Sequence, residues 1–269
     1  MPPSGAGPPG GVTEGSQPRY RSSVTSGAVR RAVETPDGVP PSRPYPVIGV
    51  GRPPWWLVAV CLLLTLGVTL DLLGRGRLER MDLRVSEIVD HWGLRDSAAY
   101  WPIWVFTQAG GRGFILAVTA ALVAWLAWRR RTLQPLVRVV VALALLTAVV
   151  YAFKWGMGRT APRFPGSFFH RGGESYPSGH VANAVLMWGV VRWQVVQFEL
   201  PARVQRVAWV LSVIGPGVAG AAMVLLDFHW VTDAVVGAAV GIVLLGVVHA
   251  LDGVLLSLWV RARAGRPRA

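Results

Sequence analysis

The sequence contains little charge, a single lysine and a single cysteine. Only 15% of its 269 residues are charged, whereas an ordinary soluble domain carries about 25% charge. The lone Cys61 excludes an intrachain disulfide and a metal site built from several cysteines. Lys154 is the only lysine, so its position within a polar cluster is notable. All the other basic residues apart from histidine are arginines, which is typical of a GC-rich, bacterial genome. With 52% apolar residues, the composition indicates an integral membrane protein.

The apolar residues fall into runs suited to crossing a bilayer. Several runs reach the roughly 20 residues that a helix needs to cross about 30 Å of hydrocarbon. The second run is expected to bend at Gly110-Gly111 and the fifth to kink at Pro216, whereas Gly237 and Gly241 in the sixth permit close helix contact. The sequence therefore predicts an all-α, polytopic fold with six transmembrane helices, at residues 55–73, 103–128, 136–153, 180–198, 207–226 and 231–260.

Two further features are given structural interpretations. Between the first two runs, Val85, Ile88, Val89 and Trp92 follow helical spacing, which predicts a short amphipathic extracytoplasmic helix on the membrane surface. Near the end of the last run, His249 and Asp252 are close enough to pair, and they are interpreted as a local structural pair.

The chain divides into three parts by composition. Residues 1–52 are rich in Pro, Gly, Ser and Arg and predict a disordered cytoplasmic tail without a secretory signal peptide. Residues 53–260 form the predicted six-helix membrane domain, and residues 261–269 form a basic cytoplasmic tail.

The net charge of +13 is explained by topology. Both tails and the segments 129–138 and 192–206 together hold seventeen arginines and four acidic residues. Basic residues accumulate on the cytoplasmic side of membrane proteins. We therefore expect a multi-pass cell-membrane protein with cytoplasmic termini, and no nucleic-acid partner.

Three polar clusters are predicted to meet at the opposite, extracytoplasmic face. They are KWGMGRTAPR at residues 154–163, YPSGH at 176–180 and HWVTD at 229–233. Each adjoins the end of a predicted helix at that face. Ionisable groups at a membrane are energetically costly, which favours a functional interpretation.

The residue types in these clusters suit phosphoryl transfer. The start of a helix at Ser178-Gly179-His180 offers backbone amides to an anion, and Lys154 and Arg159 supply positive charge. His229 and Asp233 are four residues apart, so that the carboxylate can orient the imidazole as a nucleophile. His180 is then available as general acid. Two histidines and an aspartate could instead bind zinc, but the neighbouring cations argue for an oxyanion.

These motifs resemble the type-2 phosphatidic acid phosphatase superfamily, over roughly residues 100–255. The resemblance implies that His229 is the nucleophile, Asp233 its orienting partner and His180 the acid for the leaving group. It also implies that Lys154, Ser178 and Gly179 bind phosphate, that no metal or other cofactor is needed, and that the substrate is a phospholipid or polyprenyl phosphate or diphosphate. The oligomeric state does not follow from the sequence.

Two cations of the family pattern are missing. Ala161 and Met223 stand where the family usually has arginine. Arg163 and Arg171 are predicted as substitutes, and the acidic Asp227 is unusual so close to His229. The expected function is a metal-independent lipid phosphatase acting at the outer face through a phosphohistidine. The alternatives are a catalytically weak or inactive member that binds or transports lipid, and a lipid phosphotransferase.

Overall fold

A computed structural model describes residues 51–164 and 168–264, with side chains as far as residue 254. Of the predicted tails, 1–52 and 261–269, residues 1–50 and 265–269 lie outside this part of the chain, and residues 261–264 continue the last helix. Within it the protein is helical, with a single 3₁₀ turn at Leu94–Asp96. Its eight α-helices are α1 (Trp55–Leu73), α2 (Arg77–His91), α3 (Tyr100–Thr107), α4 (Arg112–Arg130), α5 (Gln134–Met157), α6 (Gly179–Gln197), α7 (Ala202–Leu225) and α8 (Val231–Ala264).

Five of the described helices are long and apolar enough to cross a membrane: α1, α4, α5, α7 and α8 as far as Val254. The multi-pass character predicted from the sequence is therefore confirmed. α6 is not among the five, although it matches the fourth predicted run. The count of six spans stays a prediction.

α6 is the inner helix of the bundle and packs against α4, α5, α7 and α8. Thirteen of its nineteen residues are buried, and these include polar ones. Asn183 donates to the carbonyl of Gly110, and Gln194 to that of Pro135, at 3.0 and 3.4 Å. The side-chain N–H groups of these two residues thus find acceptors inside the bundle, where a lipid-facing helix would have none.

The close contact predicted for the glycines of α8 is present. A Cβ atom at Gly237 would lie 2.6 Å from the carbonyl oxygen of Ser178, and one at Gly241 would lie 2.6 Å from Cβ of Val185. Both clashes involve α6 or the residue that precedes it. These glycines therefore set the distance between α6 and α8.

The second predicted run is two helices rather than one bent helix. α3 ends at Thr107 and α4 begins at Arg112. A Cβ atom at Gly110 would lie 2.5 Å from the carbonyl oxygen of His180, so only glycine permits this connection to approach α6 so closely. The break places the first residue of α4 beside the start of α6.

A helix is present before α3, as predicted, and it is α2; its position on the membrane surface stays a prediction. Val89 is buried in the protein, whereas Ile88 and Trp92 are more than half exposed. The most deeply buried residue of α2 is Asp82, at 1% exposure. Apolar spacing missed this face because a buried ion pair, and not an apolar contact, holds it.

A set of mostly polar side chains lies near the start of α5, the end of α6 and the C-terminal half of α8. We call it the distal cluster, and its members are Arg138, Trp193, Gln197, His249 and Asp252. Arg138 binds Asp252 through two hydrogen bonds of 2.8 and 2.7 Å, and it also donates to Gln197. The ring of His249 stacks on that of Trp193 at 3.7 Å. The predicted pairing of His249 with Asp252 is thus replaced by an Arg138–Asp252 pair. Arg138 is 2% exposed, so this one of the seventeen counted arginines is not a solvated loop charge.

Candidate active site

A cavity of about 780 Å³ lies where the three polar clusters meet. Lys154 reaches it from the last turn of α5, His180 from the first turn of α6, and His229 from the connection between α7 and α8. Gly179 also lines it. With Arg163, which also lines it, the structure therefore brings five of the sequence-predicted site residues to one cavity, as the order of the helices suggested.

His229 is oriented by a carboxylate and a hydroxyl group. Its Nδ1 atom lies 3.4 Å from Oδ2 of Asp233 and 3.3 Å from Oγ of Ser175. Oδ2 of Asp233 also accepts hydrogen bonds from Ser175 and from the backbone N–H of Trp230, the latter at 3.1 Å. With Nδ1 engaged on this side, Nε2 is the ring nitrogen left for the cavity that His229 lines.

Ser178 serves as the N-cap of α6 and does not line the cavity. Its hydroxyl accepts from the N–H of Val181, and its own N–H donates to the backbone carbonyl of Asp233 at 2.9 Å. Ser178 is fully buried. Its contacts join the start of α6 to the first turn of α8, so they fix His180 relative to Asp233.

Arg159, which the sequence assigned to substrate, is fully buried and absent from the cavity lining. Its guanidinium donates to Asp233 and Thr232 through one nitrogen and to Asp82 through the other, at 2.5, 2.6 and 2.7 Å. It also lies over the rings of Phe168 and Trp230. We call Asp82, Arg159, Thr232 and Asp233 the Arg159 cluster. Arg159 therefore acts on the site through Asp233.

The cations that do line the cavity are Lys154, Arg163 and Arg112. Lys154 donates to the carbonyl of Glu174 at 2.6 Å, and the Glu174 carboxylate lies 3.9 Å away. Arg163 lies over the ring of Phe228 at 4.6 Å. Arg163 is thus placed to act as the predicted substitute, whereas Arg171 is exposed and does not line the cavity.

Arg112 is the cavity residue that the sequence analysis missed. Arg112 and Lys154 both lie 5.8 Å from the centre of the Tyr151 ring, which places them on the same side of the cavity. The connection before Arg112 is fastened to α6, because Asn183 and Trp188 donate to the carbonyls of Gly110 and Ala109. The signal available in the sequence was Gly110-Gly111 directly before an arginine, which was interpreted only as a bend.

Asp227 points away from the cavity. It occupies the turn between α7 and α8 with a φ of 52°, and it accepts a hydrogen bond of 3.3 Å from Ser86 of α2. Burial raises the pKa of its carboxyl group above the usual value. Because it is absent from the cavity lining, its charge does not face a bound anion directly.

Comparison with known proteins finds a similar family for part of the chain. The family model described as the PAP2 superfamily matches residues 135–255. This part of the chain is similar to the PAP2 superfamily. The matched residues include Lys154, His180, His229 and Asp233, so the resemblance predicted from their motifs is confirmed for this part of the chain.

A solved PAP2 structure shares the fold. The crystal structure of a transmembrane PAP2-type phosphatidylglycerolphosphate phosphatase from Bacillus subtilis aligns with a TM-score of 0.56 and 20% identity. The alignment covers 74% of this chain and 95% of that one. No curated protein matches the chain.

Within the PAP2 region, Ala161 and Met223 both line the cavity. The two family arginines are therefore replaced by uncharged residues at the site itself. Arg112, which lies outside the matched residues, and Arg163 supply cations to the same cavity. Among the described residues, no three His, Cys, Asp or Glu side chains converge as a metal site would require.

Proposed function

We propose that this protein is a membrane phosphatase that hydrolyses a lipid phosphate or an isoprenoid diphosphate through a phosphohistidine. The observation that carries the proposal is that His180 and His229 face one cavity together with three cationic side chains. Separate histidines allow one to attack phosphorus while the other handles the leaving group.

The substrate phosphate is held by Lys154, Arg112, Arg163 and the backbone at Gly179. The N-terminus of α6 favours an anion at this position, and charge-assisted contacts from arginine and lysine are about twice as strong as neutral ones. At about 780 Å³ the cavity is larger than a phosphate group, which leaves room for the adjoining part of a lipid headgroup.

In the first step, Nε2 of His229 attacks phosphorus and the bond from phosphorus to the leaving oxygen breaks. His180 donates a proton to that oxygen. Asp233 and Ser175 hold Nδ1 of His229, so that the ring keeps its orientation as it gains positive charge. In the second step His180 accepts a proton from water, whose oxygen attacks the phosphohistidine. This releases inorganic phosphate and restores both histidines.

The cavity is assigned to the extracytoplasmic face, with six membrane spans and cytoplasmic termini. The support is the concentration of arginines in the tails and in the loops at the opposite end of the bundle from the cavity. α6 would be the span that completes the six. It is fourth in chain order and is shielded from lipid by its neighbours.

The test uses the full chain purified in detergent, with phosphate release measured from a panel of lipid phosphates and diphosphates in the presence of a chelator. Release that persists with chelator and is inhibited by orthovanadate supports the proposal. Brief quenching should trap an acid-labile phosphate on His229. No release from any member of the panel, or release abolished by chelation, would overturn it. Phosphate delivered only to an added alcohol would instead identify a transferase.

A further inference from the structure

Asp82 lies outside the residues that match the PAP2 family and has no role in the steps above. It is on α2, between two exposed residues, Met81 and Leu83, yet it is itself 1% exposed. A buried carboxylate is stable only when it is paired or hydrogen-bonded. Asp82 has both kinds of partner, and they belong to the residues around Asp233.

The first partner is the beginning of α8. Oδ1 of Asp82 accepts the backbone N–H of Thr232 at 3.1 Å, and Oδ2 accepts the Thr232 hydroxyl at 2.5 Å. Thr232 is the second residue of α8, so its N–H has no partner within that helix. Asp82 therefore caps α8 from another helix, one residue before Asp233.

The second partner is Arg159, which Asp82 shares with Asp233. The two carboxylates lie 2.7 and 2.5 Å from the two terminal nitrogens of the same buried guanidinium. The order Asp82, Arg159, Asp233, His229 is therefore a chain of alternating charge that ends at the attacking imidazole. The chain has one more negative charge than positive when His229 is neutral.

We infer that Asp82 is a positioning residue for the reaction, which fixes Asp233 through the start of α8 and balances Arg159 so that Asp233 keeps its negative charge available to His229. This inference rests on the proposed function. If Asp82 were neutral, Arg159 would be balanced by Asp233 alone. The imidazole would then face less negative charge, and His229 would be a weaker base and a weaker nucleophile.

The other titratable and charged groups around His229 would not change. Those that line its cavity come from α4, α5, α6 and the segment before α6: Arg112, Lys154, His180, Arg163 and Glu174. Asp227, in the turn before α8, lines a smaller pocket beside His229. Any change in the pH dependence of an Asp82 variant can therefore be assigned to the alternating chain.

The decisive variant is Asp82→Asn, which keeps the size of the side chain and an acceptor for the N–H of Thr232. We expect kcat to fall about tenfold, and the acid limb of the kcat/KM profile to move to lower pH by about one unit, as expected for removing one charge near the site at an effective dielectric constant of about 20. KM should change little, because Asp82 does not line the cavity. The control is Asp90→Asn, which neutralises an exposed carboxylate on the same helix.

A loss of kcat with the acid limb unmoved would overturn the inference, since a purely structural role lowers the plateau alone. Wild-type activity and pH profile in Asp82→Asn would overturn it as well.

A readout that does not need turnover separates this inference from the proposed function. Carbethoxylation of individual histidines by diethyl pyrocarbonate can be followed by peptide mass spectrometry. The rate at His229 should fall severalfold in Asp82→Asn, while the rate at the exposed His170 stays the same. If the wild type releases no phosphate but this difference appears, only the proposed function fails. If the wild type is active and the rate at His229 does not change, only the role of Asp82 fails.

Discussion

The Arg159 cluster and the distal cluster are built alike, but only the Arg159 cluster lies beside the large cavity. Each buries an arginine within the helix bundle, at 0% and 2% exposure, holds it with a carboxylate and places aromatic rings against it. The Arg159 cluster adjoins a large cavity and a histidine held at Nδ1. The distal cluster includes His249, whose ring is stacked flat on Trp193. Among the described residues, the Nε2 atom of His249 has no hydrogen-bond partner. A buried arginine pair is thus no sign of catalysis by itself.

The two histidines give the sharpest contrast and the largest expected effect. His229→Ala should lower kcat by about 10⁴-fold or more, because the nucleophile is lost. His249→Phe, which keeps a ring against Trp193, should leave kcat within about twofold. Phosphate release by the purified variants measures both. Comparable losses in the two would mean that the distal cluster takes part in the reaction.

The two arginines are expected to differ in stability and in activity. Arg159→Ala should lower the free energy of unfolding by about 3–5 kcal/mol, since it leaves two buried carboxylates without their ion-pair partner. Arg138→Ala should lower it by less, since its one carboxylate partner, Asp252, is partly exposed. Thermal unfolding in detergent measures this. Per folded molecule, only the Arg159 variant should lose activity, because only its carboxylate Asp233 contacts His229. An inactive but folded Arg138 variant would contradict the comparison.

The arginines that line the cavity should affect substrate binding. Arg112→Ala and Arg163→Ala should each raise KM by about tenfold or more, as expected for losing a charge-assisted contact of about 1.5–3 kcal/mol. Arg171→Ala is the matched control, since Arg171 is exposed and outside the cavity lining. Steady-state kinetics on a short-chain lipid phosphate would distinguish them. An equal effect at Arg171 would show that general charge, and not contact, is responsible.

The smallest effect is expected at Asp227, whose raised pKa is a cost to the folded state. A carboxyl group whose folded-state pKa is raised stabilises the fold below its unfolded value and loses that contribution as the pH rises through the folded value. Asp227→Asn should therefore raise Tm at pH 7, and asparagine tolerates the positive φ. The gain should disappear below about pH 4. A higher Tm that persists in acid would point to a cause other than charge.

Apolar periodicity predicted most of the helices, because bilayer-crossing helices need long apolar runs whatever their neighbours are. α1, α5 and α6 begin and end within a few residues of their predicted bounds. The sequence predicted a bend where the structure has a break between α3 and α4. The break depends on the close approach of Gly110 to His180, which is a tertiary contact. The count of five rather than six apolar helices arises from the polar residues that α6 hides in the bundle.

The motifs placed five of the predicted residues at one cavity because each motif adjoins a helix end at the same side of the bundle. The role of Arg159 could not be foreseen in this way. Its partner Asp82 lies 77 residues earlier in the chain, on a helix whose apolar spacing gives no sign of a buried carboxylate. A charged residue in a motif is expected to meet substrate only when no tertiary carboxylate reaches it first.

The burial of α6 has a consequence for how the protein is made. A segment that carries Asn183, Arg192 and Gln194 gains little by leaving the insertion machinery alone, because its polar groups have no partners in lipid. The acceptors for Asn183 and Gln194 are Gly110 and Pro135, which are synthesised earlier than α6. Gly237 and Gly241 of α8, which pack against α6, are synthesised later. A chain released before α8 has been synthesised would therefore expose the segment that carries His180 to cellular quality control. α6 would be the last helix of the bundle to complete its packing contacts.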